Sequence, residues 1–236
     1  WLPGLEPLPP TLAHAGELLL TLDNVTYGRA NALGSAHLDI RQGGATVVRG
    51  PNGTGKTTFA LTAAGLLPPL SGSVRAEPAW APRRRGRTVR NPLSWRSREL
   101  AERIAFVFQQ PDLQFVGATV WEEISCTAES AARADELLER FELTHLVARH
   151  PRSLSGGEKR RLSVATALAS PARVIVADEP TFGQDQHTWQ AMLNEFSRTL
   201  QSGRALLMPS HDSALAEALS ASVHILQPLV PAESRI

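Results

Sequence analysis

Only two lysines occur in the sequence, and one of them, Lys56, sits inside the run GPNGTGKTT, Gly50 to Thr58. Gly50, Pro51, Asn52, Gly53, Thr54, Gly55, Lys56 and Thr57 fit the spacing G-x-x-x-x-G-K-[ST], and Thr58 follows. Glycines let such a loop curl until backbone N–H groups converge on an anion at a positive helix start. An ammonium on a flexible stem reaches the outer phosphates, and the adjacent hydroxyl suits a hard divalent cation. The chemistry implied is the binding of a nucleoside polyphosphate. A plain Gly/Pro/Asn turn ahead of a helix would need no lysine, and the other basic residues here are almost all arginine.

A second group of residues complements the first. RVIVADEP ends its apolar run in Asp178 and Glu179. Acids at the C-terminal edge of a parallel strand lie where such sheets bind ligands, so Asp178 suits a metal and Glu179 an attacking water. Standing alone, the pair reads equally well as a solvated turn. His211, in PSHD, and Gln109 or Gln110, after FVF, fall at the same kind of strand end, though an isolated histidine or glutamine there is commonly only exposed. Tyr27, the one tyrosine, either stacks on a base or belongs to the core. SLSGGEKRR, Ser153 to Arg161, begins a helix with a capping box, Ser155 with Glu158. The box leaves Gly156 and Gly157 unexplained, because glycine is a poor helix former. Glycines there let another surface approach free N–H groups.

These residues need elements to position them. ELLLTLDNVTY, AHLDI and ATVVRG read as strands, and a helix runs from Lys56 towards Pro68-Pro69. RIAFVFQ, RVIVADEP and RALLMPSHD are short apolar runs suited to buried strands, and SVHIL is a further strand. Helices are expected over 121–141, from Ser155, over 185–200 and in SALAEALSA. The alternation predicts an α/β fold with a mostly parallel core sheet, a β-rich start and a helical middle, about 112–170. WLPGLEPLPP reads as a Pro-rich linker or an excised edge over 1–16, ahead of a single domain over 17–236.

Composition sets bounds. With 236 residues, 42% hydrophobic and 20% charged, the chain can bury a substantial core. A net charge of +1 implies no generalised attraction to nucleic acid. No apolar run approaches the length of a membrane span. Cys126 is the one cysteine, so no internal disulfide forms, and it reads as a packing residue.

The phosphate loop, VFQQP, LSGGEKRR, VADEPT and SHD, in that order, resemble the ATP-binding cassette (ABC) ATPases from about Leu18 to Leu226. The resemblance implies a P-loop NTPase fold with an antiparallel β subdomain and a helical subdomain. It also implies ATP and Mg²⁺ as cofactors, and a second cassette, identical or different, paired head to tail. In this family the LSGGE helix faces the γ-phosphate held by the opposite cassette, a role that falls to Ser155, Gly156 and Gly157. Tyr27 resembles the adenine-stacking aromatic, Gln109 the Mg²⁺-contacting glutamine, Glu179 the general base and His211 the γ-phosphate switch. Asp185, in TFGQD rather than the commoner SALD, matches the aspartate that communicates across the dimer.

VFQQPDLQ followed by TVWEEI resembles the ATPases of energy-coupling factor (ECF) transporters, which drive uptake of vitamins or of cobalt and nickel ions. That resemblance implies membrane subunits on the surface after Gln109 and a place on the cytoplasmic face of the membrane. The alternative is a soluble ABC ATPase acting on nucleic acid or the ribosome. The cluster Arg83, Arg84, Arg85, Arg87 and Arg90, near Trp80 and Trp95, would serve that alternative, but a solvated loop or a lipid-headgroup contact fits its Pro-broken setting better.

Overall fold

The computed structural model describes residues 16–227. The linker expected over 1–16 therefore lies outside the described residues apart from Gly16. β1 (Leu18–Gly28) and β2 (Ala32–Arg41) pair antiparallel, and β3 (Ala45–Arg49) leads through the glycine loop into α1 (Lys56–Ala63). β4 (Ser71–Ala76) returns to the other edge of β1. The hairpin β5 (Arg83–Arg84) and β6 (Arg87–Thr88) precedes α2 (Ser97–Ala101) and β7 (Ile104–Val107). Then come α3 (Val120–Ser125), α4 (Ala131–Arg140), α5 (Gly156–Ala169) and β8 (Val174–Ala177). α6 (Gln186–Gln201), β9 (Ala205–Pro209), α7 (Ser213–Ala218) and β10 (Ser222–Ile225) complete the described chain.

Besides the β5-β6 hairpin, two sheets form: an antiparallel one ordered β2-β1-β4 and a parallel one ordered β10-β3-β9-β8-β7. The parallel strands read as continuous apolar runs because both of their faces are covered. Alternation along them sends side chains to two clusters. Ile175, Ala177, Leu206 and Met208 join the helices α3 to α6. Val174, Val176, Ala205 and Leu207 join α1 and the antiparallel sheet. The helical region thus has no core of its own and shares one with a sheet face. Its longest helix, α5, is closed at the C-terminal end by the Arg204 guanidinium, which donates to the carbonyls of Leu168 (2.9 Å) and Ala172 (2.7 Å).

Two expectations are corrected. The single helix expected over 121–141 is broken between Ser125 and Ala131. The break is held from outside: Thr127 Oγ1 donates to the Thr166 carbonyl (2.9 Å) and Glu129 N–H to that of Ala169 (3.1 Å), and Ser130 caps the next helix. Cys126 is exposed rather than packed, its Sγ donating to the Glu123 carbonyl.

Candidate active site

The strand-to-helix turn after β3 builds the phosphate loop. Gly53 and Gly55 hold φ of +84° and +82°, left-handed values that disfavour any residue with a Cβ, and a Cβ on Gly55 would also meet Leu33 at 2.7 Å. Gly55 is the N-cap of α1, and no side chain caps that end. The first N–H groups of the helix are thus available to an anion. Lys56 Nζ donates to the loop's own carbonyls, Gly50 at 2.9 Å and Pro51 at 3.2 Å, which curls the ammonium over the loop.

β8 and β9 deliver the acidic side of the site. Asp178 is 1% exposed, and its Oδ2 accepts from Thr57 Oγ1 at 2.6 Å. Burial pushes its carboxyl above the usual range and the neighbouring Glu179 adds to that, while the Thr57 hydrogen bond opposes it. Glu179 adopts φ +50° and is buried. Its Oε2 accepts from Ser210 Oγ (3.2 Å) and His211 N–H (3.3 Å). Its Oε1 is buried without a hydrogen-bond partner, 3.8 Å from His211 Nε2. An acceptor left bare at that cost is one kept for a ligand or water. Lys56, Thr57, Gln109, Asp178, Glu179 and His211 all border a cavity of about 570 Å³, with Asn52, Gly53 and Gly55. Hydroxyl, amide and carboxylate oxygens at one edge are the hard donor set that suits Mg²⁺.

The first turn of α5 lies elsewhere. Ser155 is the N-cap: its Oγ accepts from Glu158 N–H (3.4 Å) and its own N–H donates to Glu158 Oε2 (2.7 Å). Gly156 and Gly157 border a second cavity of about 470 Å³, which shares Gln109 and Phe182 with the first.

The ABC transporter family pattern matches residues 33–182, more than half of the chain. The chain belongs to the ABC transporter family. The cassette is 36% identical over 94% of its length to the putative HMP/thiamine import ATP-binding protein YkoD of Bacillus subtilis, but it spans only 40% of that relative. It is 32% identical to the cobalt import ATP-binding protein CbiO of Rhodobacter capsulatus, covering 89% of this chain and 75% of the relative. In fold it matches the dimeric post-hydrolysis structure of the ATP-binding cassette MJ0796 bound to ADP and Pi, with a TM-score of 0.71 at 24% identity over 89% of this chain and 94% of that one. The cassette is an ATPase with a parallel core sheet, an antiparallel β sheet and a helical region.

Tyr27 departs from expectation. It is fully buried, in register with Gly34 of β2, where a Cβ would sit 2.2 Å from its Oη. Its ring meets Phe59 edge-on at 5.4 Å, and burial pushes the phenol up to about 12. The expected stacking on adenine is corrected: the ring belongs to the core, and Leu33 takes the cavity wall instead. Asp185 is exposed and caps α6, its Oδ1 accepting from Thr188 N–H at 2.9 Å.

Sequence reasoning missed two residues. Arg160, 5% exposed, donates to the Phe108 carbonyl at 2.9 Å and also to that of Gln109, tying α5 to the segment after β7. Its place one turn before Val164 and two before Leu168, on the apolar side of the helix, was the available signal. Phe182, 73% exposed, borders both cavities. Only its departure from the commoner SALD pattern marked it.

Proposed function

We propose that this cassette is one of two ATPase halves that bind ATP between them and drive an ECF-type membrane importer of a vitamin or transition-metal ion. The first turn of α5 carries the reading. A Cβ on Gly156 would meet nothing within 4 Å, and one on Gly157 nothing nearer than Gln184 at 3.8 Å. Nothing among the described residues asks for glycine at either position, and in this reading the approaching surface belongs to another molecule. An opposite cassette carrying ATP supplies the anion that the first-turn N–H groups and the Ser155 hydroxyl suit.

In this reading Lys56 gives up the Gly50 and Pro51 carbonyls for the β- and γ-phosphates, and the bare first turn of α1 takes the oxygens beside them. Thr57 and Gln109 would hold Mg²⁺, with Asp178 fixing the Thr57 hydroxyl from behind. When bound, the ion neutralises phosphate charge. Glu179 is gripped through Oε2, so Oε1 is free to take a proton from water. The water oxygen bonds to the γ-phosphorus as the bond to the β–γ bridging oxygen breaks, giving ADP and phosphate. His211 steadies the γ-phosphate, and Asp185 positions α6 against the opposite cassette. The helical region, about 112–170, moves with that cassette's ATP.

The importer assignment draws on the relatives, named for HMP/thiamine and cobalt import. Among the described residues no helix is long and apolar enough to cross a membrane, and this reading assigns the membrane path to partner subunits. The surface after Gln109 suits them, with Leu113 69% and Val116 81% exposed. A nucleic-acid role finds no support in the interval between phosphate loop and α5, whose longest helix is the ten-residue α4. The test is Glu179→Gln, with steady-state ATPase and solution mass measured with and without ATP. Hydrolysis should fall at least about 100-fold while ATP binding persists, and ATP should double the mass. Unchanged hydrolysis would sink the assignment of the base. ATP binding without a change of mass would reject self-pairing and make the companion a different cassette.

A further inference from the structure

The arginine hairpin contributes nothing to the nucleotide site, yet it is built with care. Its base is fixed. Trp80 and Trp95 meet edge-on at 5.5 Å, and their indole N–H groups donate to the Leu19 (2.7 Å) and Val89 (2.6 Å) carbonyls. Arg84 pairs with Glu99 and donates to the Ser94 carbonyl, and Arg90 pairs with Glu77. Its tip is different. Arg83, Arg85 and Arg87 are exposed, and among the described residues no carboxylate pairs with any of them. Arg87 faces Arg84 directly across the strands, a like-charge pairing that disfavours a hairpin.

The turn itself carries a further cost. Arg85 and Gly86 both hold positive φ, +49° and +79°, the two-residue turn that prefers Asn-Gly. Arginine stands where asparagine would fold more readily. A rigid base and three exposed guanidiniums without a carboxylate partner, one of them at a turn position that would suit asparagine better, fit an anion-binding finger.

We propose that this hairpin is an anchor for anionic phospholipid headgroups, an inference that rests on the membrane-importer reading above. Guanidiniums suit phosphate, and Arg83 lies on the opposite strand face from Arg87, as suits a finger surrounded by headgroups. The attachment point of the hairpin adds an apolar component. Leu93, next to Ser94, is 41% exposed, and Leu66, 44% exposed, follows Gly65, which packs against Pro92 and Leu93. Leucines beside arginines match a bilayer interface and have no counterpart in phosphate-tracking nucleic-acid grooves, which pair basic with aromatic faces.

The test is flotation of the full chain with phosphatidylcholine vesicles, with and without phosphatidylglycerol. Each basic residue near an anionic leaflet contributes roughly 5-fold in partitioning, so replacing all three by Gln should cost on the order of 100-fold. Binding should require phosphatidylglycerol and weaken as salt rises. Arg85→Asn guards against misfolding: it removes one guanidinium but suits the turn, so thermal stability should hold or rise while partitioning falls roughly 5-fold. ATPase activity should be unchanged in both variants, which separates failure of the anchor from failure of the ATPase reading. Wild-type protein that ignores anionic vesicles, or variants that bind them undiminished, would overturn the proposal. So would duplex DNA displacing the vesicles at equal phosphate concentration.

Discussion

Asp178 shows how the site spends stability at single residues. A carboxylate with 1% exposure beside a second acid is unfavourable in the ionised state, and among the described residues Thr57 alone donates a side-chain hydrogen bond to it. Because the folded-state value lies above the ordinary one, Asp178 favours folding most below the unfolded aspartate range. That contribution is lost as pH rises through the raised folded value. Asp178→Asn keeps an acceptor for Thr57 and removes the charge. At pH 7–8 it should stabilise the nucleotide-free cassette by about 1 kcal/mol, roughly 2–4 °C in Tm, while ATPase activity collapses. The gain should shrink as pH falls through the raised folded value and the native aspartate takes up its proton; a Tm difference that persists below the ordinary aspartate range would reject the electrostatic explanation. Legibility at this scale was uneven for a physical reason. Lys56 was readable because a fixed spacing places it, and Asp178 and Glu179 because they end an apolar strand in a chain that also carries a phosphate loop. The fate of Tyr27 was decided by Gly34, its partner across β1 and β2, which leaves room for the ring in the core.

At the scale of elements, the start of α5 serves two ends with the same atoms. The capping box supports the helix in this chain, and the proposed contact with ATP needs the same Ser155 hydroxyl. Two substitutions separate them. Ser155→Ala and Glu158→Ala each break the box and should each lower stability by about 1 kcal/mol. Only Ser155→Ala should also abolish ATP-driven pairing in the Glu179→Gln background, read as solution mass. Equal loss of pairing in both variants would mean that a well-formed helix start, not the hydroxyl, is what the partner requires. The box was legible in the sequence, since its residue types and spacing are local. The break between α3 and α4 was not, because α5 holds it through the Thr166 and Ala169 carbonyls, about 40 residues away in the chain. Arg160 went unread for a similar reason: its partners are backbone carbonyls after β7, which have no residue type to recognise.

For the whole molecule, the decisive fact is that the parallel sheet divides the apolar interior and the helical region owns neither part. Phe141 at the end of α4 shares its cluster with Val47 of β3, Leu206 of β9 and Phe196 of α6. A region cored this way moves as a body only while its contacts to the sheet persist, and it has no means of folding alone. The strand and helix order was legible from alternating apolar runs, whereas which helices share a core with which sheet face depends on packing across long sequence separations. Phe141→Ala tests the shared core. It should cost about 3–5 kcal/mol, roughly 6–20 °C in Tm for a chain of this size. The loss should come as one transition, with far-UV circular dichroism and tryptophan fluorescence coincident. The fluorescence reports from both sides of the sheet, since Trp80 and Trp95 lie in the cluster with α1 while Trp121 and Trp189 pack against the helical one. Helical signal lost first, with the fluorescence of the antiparallel side intact, would mean that the helical region is an independent domain. ATP-driven movement would then be passed on by a separately folded arm rather than by a face of the shared core.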